Sequence, residues 1–486
     1  FNRRNMLNIP IPAAQTDGTI LPVTGTPSVI LLEFNELSPR LMDRFVADGA
    51  LPNFARLRSE STVMITDPEE PQTRLNPWIQ WVTLHSGVPR SEHGIEKLGE
   101  ASRLRHPTMG EVIAEAGRNV WICGTMNLPD RVAPRGAFLP DPWNPDCAPK
   151  PGSFADFSEF VRANVQEHTK VTASMSPGLA VRFAGFMLRH GLSARTVRDT
   201  GRQLVAERRG RRGRWARASV LDRFQWDLFE WQYLRDHPAL ATFFSNSTAH
   251  YQHMYWRNLE PEAFAIAPTE ADQRAYGDAV LHGYQQMDAL VARAMDLATR
   301  TGATLMMCTA LSPQPYVHAD EAGGTHTHRP HDFGHLLEVL AIEGVDHVAP
   351  VMAGEFRLYF SDRATAGTAA ERLGRISLDG KPAMSVRILD NEVFTGCSVT
   401  DLVDDDAVLV DPDGGTHRFA DLFYRFETAK SGYHHPDGMW WVRTGSHLEV
   451  PEKVPLRSVA PTVLAMLGLD APETMTASLV DVFAST

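Results

Sequence analysis

The sequence predicts an α/β fold with a mostly parallel central sheet between helices, and three observations carry that expectation. Short apolar runs recur along the chain: VILLEF from Val29, NVWIC from Asn119, ATFFS from Ala241 and ATLMMC from Ala303. Continuous apolarity over strand length, without polar alternation, marks strands covered on both faces. Between these runs lie stretches with helical spacing, the pattern of repeated strand-helix units. The first run also breaks into Glu33, Asn35 and Glu36 at its C-terminal end, as expected of a strand delivering polar groups to the ligand-binding edge of an open sheet.

Residues 1–27 carry Pro, Thr and Gly without periodicity and read as a surface arm. Residues 28–170 form the first part of the core. Within it, SPRLMDRFVADGALPNFARLRSE has helical spacing that stops at Gly49, a suitable C-cap, and GEVIAEAGRNVWICGTMN reads as helix, Gly turn and strand. In the basic helical insertion, 171–225, Val181, Phe183, Phe186, Met187 and Leu188 are interleaved with arginines. Three readings of it stay open: a peripheral contact with an anionic membrane through 181–217, a face that gathers phosphate-bearing substrates, and solvated helices whose arginines pair with the chain's excess acid.

The second part of the core, 226–312, holds a long helix whose buried stripe is Tyr276, Val280, Tyr284, Met287, Val291 and Met295. A cap insertion of α+β type follows at 313–425, with the strand-like runs EFRLYFSD and SVRIL and an acidic tract. The last core part, 426–486, contains SGYHHPDGMWWVRTGSHL, a loop and strand, and then VAPTVLAMLGL. There is no internal repeat, P-loop or dinucleotide fingerprint.

At 486 residues and 43% hydrophobic content the chain can bury a large core. A net charge of -12 argues against nucleic acid as a partner. The four cysteines have no metal-type spacing and are too few for a disulfide framework, so a reducing, cytoplasmic setting is expected, with or without peripheral attachment to a membrane. No apolar run is long enough for a transmembrane helix, and FNRRNMLNIPIP lacks the apolar core of a secretory signal.

After the strand VILLEFNE come Leu51-Pro52-Asn53, Ser86-Gly87 and His93-Gly94-Ile95. This succession resembles the opening of the alkaline phosphatase superfamily, type I phosphodiesterase and nucleotide pyrophosphatase branch, and VAPTVLAMLGL is similar to the segment that closes that family's core. The resemblance covers roughly 29–130, 241–312 and 426–470. It implies an alkaline-phosphatase-like core, two metals (usually zinc) around a Thr or Ser nucleophile, and a cap that shapes substrate choice. The chain departs from the pattern at the chemistry. Asn35 stands where the first metal-binding Asp belongs, Asn76 or Pro77 where the nucleophile belongs, and Ala310 and Leu311 where an Asp-His pair belongs. In the other metal set Ala249 replaces the Asp, while His253 and His434 match the two histidines.

The candidates for acid/base or binding work are Glu33, Glu36, His253 and His434, with Asn35, Asn76, Gln80, Trp81 and Asp437 lining the substrate. His253 and His434 would hold one zinc or other divalent cation if Glu33, Glu36 or a histidine of the 318–335 loop supplied a third ligand. Otherwise the site works without metal. Trp78 and Trp81 stack on a sugar ring or pack in the core. The loop THTHRPHDFGH offers His326, His328, His331 and His335 as surface polarity or as a second metal cluster, with Asp332 beside His331 as an oriented pair. The expected function is a divergent phosphodiesterase- or phosphatase-like enzyme, hydrolase or transferase, acting on a phosphate-bearing small molecule or an anionic glycan through a reorganised site. The alternatives are a silent relative that binds an anionic ligand or partner, and a mononuclear metal-dependent phosphate or sulfate ester hydrolase.

Overall fold

Strand β1 (Val29–Phe34) is buried along its whole length, because it lies between two parallel neighbours at the centre of a nine-stranded sheet. The structure, a computed structural model, describes residues 26–131, 136–144, 146–167, 176–210, 213–426 and 428–484; most of the expected N-terminal arm lies outside these. The other sheet strands are β2 (Ser61–Asp67), β3 (Val120–Cys123), β4 (Ala137–Leu139), β5 (Leu240–Ser245) and β6 (Thr304–Cys308), followed by Gly438–Arg443, Leu448–Glu449 and Val454–Pro455. Their order is Leu448–Glu449, β2, Gly438–Arg443, β6, β1, β5, β3, β4, with Val454–Pro455 also on β2. Only Gly438–Arg443 runs antiparallel, to β2 and β6 alike. The protein is thus a mixed α/β fold with a mostly parallel central sheet flanked by helices.

Side chains alternate across a strand, and β1 shows the consequence. Ile30, Leu32 and Phe34 enter the hydrophobic layer that includes α1 (Pro39–Ala47), α2 (Pro52–Ser59) and the helix Ala279–Thr301. Val29 and Leu31 enter the opposite layer with α3 (Pro77–Ser86), Met109–Glu115 and Val459–Met466. Glu33 falls in register with this second set.

A third apolar cluster, drawn from Leu336 to Phe423, belongs to the cap. It holds two four-stranded antiparallel sheets and the helix Arg363–Gly374. The basic segment forms the helices Pro177–Arg189 and Ala194–Arg208, and position 225 falls inside the next helix, Ala218–Asp236. Leu179, Phe183, Phe186 and Met187 pack into the same cluster as the central sheet, so the first of these helices is anchored in the main core.

Helix α2 starts at Pro52 with Leu51 at the N-cap, a residue that cannot accept a hydrogen bond. Asp288, from the helix Ala279–Thr301, takes over that role: its carboxylate accepts from the backbone N–H of Asn53 and Phe54 and from Asn53 Nδ2 at 2.7–2.9 Å. An Asp288→Ala change should lower stability by about 2 kcal/mol, since it removes a cap and three bonds to a carboxylate. Urea denaturation of the purified variant measures the loss.

Candidate functional site

The carboxyl ends of β1 and β5 meet at one edge of the sheet, where β1 gives way to Asn35 and Glu36 and β5 to Asn246 and the helix Ser247–Leu259. Glu36 has a left-handed backbone, φ 58°, a conformation that non-glycine residues seldom adopt. A buried chain of bonds holds it there. Tyr284 accepts from the Ser38 backbone N–H at 2.7 Å and donates to Gln252 Oε1 at 2.9 Å, and the Gln252 amide donates to the Glu36 carbonyl.

The turn aims the Glu36 carboxylate at two histidines. His253 Nε2 lies 2.8 Å from Glu36 Oε2, and His434 Nε2 lies 3.6 Å from Glu36 Oε1. His253 comes from the helix Ser247–Leu259 and His434 from the strand Gly432–His435, which pairs antiparallel with Ser312–Pro315. One ligand atom from each residue falls within 4.8 Å of the others.

The far side of each imidazole determines what it offers. His253 Nδ1 sits 2.8 Å from the Gly432 carbonyl, and His434 Nδ1 bonds to the Leu75 carbonyl. A carbonyl only accepts, so each Nδ1 carries a proton, and each Nε2 is left facing the Glu36 carboxylate. Burial pushes the His434 imidazole down to about 4, against the pull of Glu36 and with the help of His253 and Lys430. Burial alone would raise the Glu36 carboxyl. Charge on His253 and His434, the His253 hydrogen bond and nearby Lys430 outweigh that and hold it at about 2. Each Nε2 thus faces a carboxylate oxygen across a gap that a proton or a cation must bridge. Two imidazoles with Nδ1–H on backbone carbonyls plus one carboxylate form a donor set that suits zinc. Among the described residues this is the one group of three that could hold a metal ion.

The other predicted residues are placed differently. Glu33 is 0% exposed, and in register with Val29 and Leu31 it points into the α3 layer, away from Glu36. There it meets His85 Nε2 at 2.6 Å and accepts from Thr125. A carboxylate so enclosed has no route to a substrate, so the structure does not bring Glu33 to this cluster. Trp81 is also fully enclosed: its indole donates to Asn35 Oδ1 at 2.8 Å, and its ring packs edge-on to Phe244. No face is left for a sugar. Asn35 further donates to Asn246 Oδ1 at 2.7 Å and to Glu36 at 3.3 Å, so its amide orients the glutamate. Asn76 is the N-cap of α3, half-buried, and its side chain makes no cap bond. It directly follows Leu75, whose carbonyl holds His434. Gln80 is buried with neither amide atom hydrogen-bonded, and Asp437 pairs with Lys453. Ala310 and Leu311 are buried and apolar where the resemblance calls for a second metal set.

In the 318–335 loop, His328 bonds through Nδ1 to the Val399 carbonyl, and His331 Nε2 lies 3.1 Å from the Ala420 carbonyl. Asp332 caps the helix Phe333–Val339 through the His335 backbone N–H at 2.8 Å, so it does not orient His331. Sequence reasoning missed Lys430. Its ammonium lies 4.7 Å from the centre of the Tyr433 ring and 5.4 Å from that of Tyr316. Burial lowers its pKa while Glu36 opposes the shift. A Lys four residues before a His on a short strand carries no motif that would reveal it.

No family model matches the sequence, and no curated protein is similar enough to be matched. Among solved structures the chain is similar to phosphonoacetate hydrolase from Sinorhizobium meliloti 1021 in complex with phosphonoformate, at 13% identity and a TM-score of 0.40, over 92% of this chain and 96% of that one. It is also similar to murine ectonucleotide pyrophosphatase/phosphodiesterase 5, at 10% identity and a TM-score of 0.43, over 94% and 99%. The human form of the latter matches at 9% and 0.41, again over 94% and 99%.

Two outcomes follow from the geometry of the site. A histidine that titrates at 6.5 when unfolded and about 4 in place binds fewer protons folded than unfolded between those values. Its contribution to stability is complete above 6.5 and is lost as pH falls toward 4. The stability difference between the parent and His434→Gln should shrink by roughly 3 kcal/mol across that window, read by urea denaturation at each pH. Glu36 adds a contribution that is complete above 4.5 and is lost as pH falls through about 2. By contrast, Glu33→Leu should cost about 3 kcal/mol by stranding His85 and Thr125 in the interior. It should leave zinc binding at the Glu36 cluster unchanged, as titration of the variant with zinc would show.

Proposed function

We propose that the chain is a hydrolase of phosphate or sulfate esters that works with a single divalent cation, held by Glu36, His253 and His434. The observation that carries this reading is the convergence of one carboxylate and two imidazole Nε2 atoms, each imidazole fixed from behind by a backbone carbonyl. Zinc in such a three-ligand site supplies Lewis acidity toward an ester oxygen and lowers the pKa of a water to about 7.

The chain's own residues supply the rest. Lys430, held between Tyr316 and Tyr433, has no ion pair among the described residues and is free to receive an anionic ester oxygen. Asn76, beside the Leu75 carbonyl and with an unused amide, can donate to the same group. Asn76 offers no hydroxyl and Pro77 none either, so transfer goes directly to water with no ester formed on the chain. The Asn35 amide keeps the Glu36 carboxylate in place.

A second reading has one observation in its favour. The direct 2.8 Å contact between His253 Nε2 and Glu36 Oε2 suits a proton-sharing pair, which would serve acid/base chemistry on a glycosidic or phosphoryl bond without metal.

Metal content separates the two. Purified protein loaded with zinc and then dialysed should retain near one equivalent, and His253→Ala and His434→Ala should lose it. Hydrolysis of bis(p-nitrophenyl) phosphate or p-nitrophenyl sulfate should follow the metal. If no zinc is retained after loading, the metal reading fails. Lys430→Met should raise KM for the hydrolysed ester about tenfold, the worth of one charge-assisted bond, with kcat changed far less.

A further inference from the structure

The two helices of the basic segment each bury one face and turn an apolar one to solvent. In Pro177–Arg189 the inward side chains are Leu179, Phe183, Phe186 and Met187. At 100° per residue, Val181, Ala184 and Leu188 share the opposite face, and Val181 is 72% and Leu188 74% exposed. In Ala194–Arg208, Thr196 and Gln203 point inward, while Val197, Gly201, Leu204 and Val205 lie outward. Among the described residues, five of the thirteen large exposed apolar side chains lie on these two helices, between positions 181 and 205.

The charge around these faces is mostly positive. Between Ser176 and Arg217 the sequence has eleven arginines and two acidic residues, in a chain whose net charge is -12. Arg195, Arg198 and Arg202 share the single carboxylate of Asp199. Arg189, Arg208 and Arg209 pair with no acidic side chain among the described residues. Arg182 pairs with Asp156 and Glu159 and Arg217 with Glu207, yet arginines still outnumber carboxylates, so the surface is basic. A partner that fits it must be apolar and anionic at once, which describes a bilayer of acidic lipids. No helix among the described residues is long and apolar enough to cross a membrane, so the contact is with its surface.

We propose that the outward faces of Pro177–Arg189 and Ala194–Arg208 form a docking surface for anionic lipid bilayers. Val181, Leu188, Leu204 and Val205 enter the headgroup region, and the neighbouring arginines pair with lipid phosphates. This stands independently of the chemistry at Glu36.

The test is co-sedimentation of the full chain with vesicles of equal parts phosphatidylcholine and phosphatidylserine, and with phosphatidylcholine alone. The chain should sediment with the mixed vesicles only, and added salt should release it. Val181→Asp/Leu188→Asp and Leu204→Asp/Val205→Asp should each lower partitioning about tenfold, as should Arg198→Glu/Arg202→Glu. Serine replacements at the same apolar positions substitute for any Asp variant whose melting temperature falls. The apolar variants should keep the parent's retention on immobilised heparin. Failure of the parent to sediment with the mixed vesicles would overturn the proposal. So would loss of vesicle binding in the arginine variant alone, which marks a site for soluble polyanions. A parent dimer in analytical ultracentrifugation that the apolar variants abolish would assign the face to a second copy of the chain instead.

Discussion

The site depends on one constraint, a carboxylate kept anionic in the protein interior by two imidazoles that close on it. Glu36 has almost no exposure, and burial by itself opposes its charge. What holds the charge is the approach of His253 and His434, and that approach requires the chain to turn through a left-handed conformation just past β1. The strain of that turn is sustained by buried polar bonds, from Ser38 through Tyr284 and Gln252 to the Glu36 carbonyl. Carbonyls of Leu75 and Gly432 fix both rings from behind, and Gln314 holds the carbonyl of His434 at 2.9 Å. Such a cluster is arranged for something positively charged at its centre.

Sheet geometry separates the two glutamates that the sequence places three residues apart. Glu33 is within β1, where alternation sends it to the α3 layer and into a closed network with His85, Thr125 and, through Thr125, Thr242. Glu36 is past the end of the strand, where alternation no longer applies. One therefore contributes to the interior and the other to the edge. The same logic applies to α3, whose Trp81 faces inward to hold Asn35 while Asn76 sits at the start of the helix next to the cluster.

The basic segment shows two chemistries on opposite sides of one helix. Its aromatic side is continuous with the main core, where Phe160 stacks on Phe183 with ring centres 3.6 Å apart. Its outer side carries valine, leucine and arginine into solvent. Anchoring the inner face that firmly fixes the orientation of the outer one, which is what a docking surface requires.

Much of the fold was legible from the sequence, because strand-length apolar runs and helical periodicity follow from local covalent geometry and burial. VILLEF, ATFFS and ATLMMC are the adjacent central strands β1, β5 and β6, and Gly49 ends α1 with a φ of 73°. The sequence by itself also marked Glu36, His253 and His434 as candidates and named Glu36 among the third ligands that two histidines would need. It could not choose between Glu33 and Glu36, nor exclude Trp81 as a platform for sugar, because those outcomes depend on which face of a strand or helix meets which layer. Lys430 was invisible for a related reason: its importance comes from Tyr316, more than a hundred residues earlier, and from Glu36 across the sheet edge. Local periodicity is written in neighbouring residues, whereas convergence of distant side chains exists only once the sheet is closed around them.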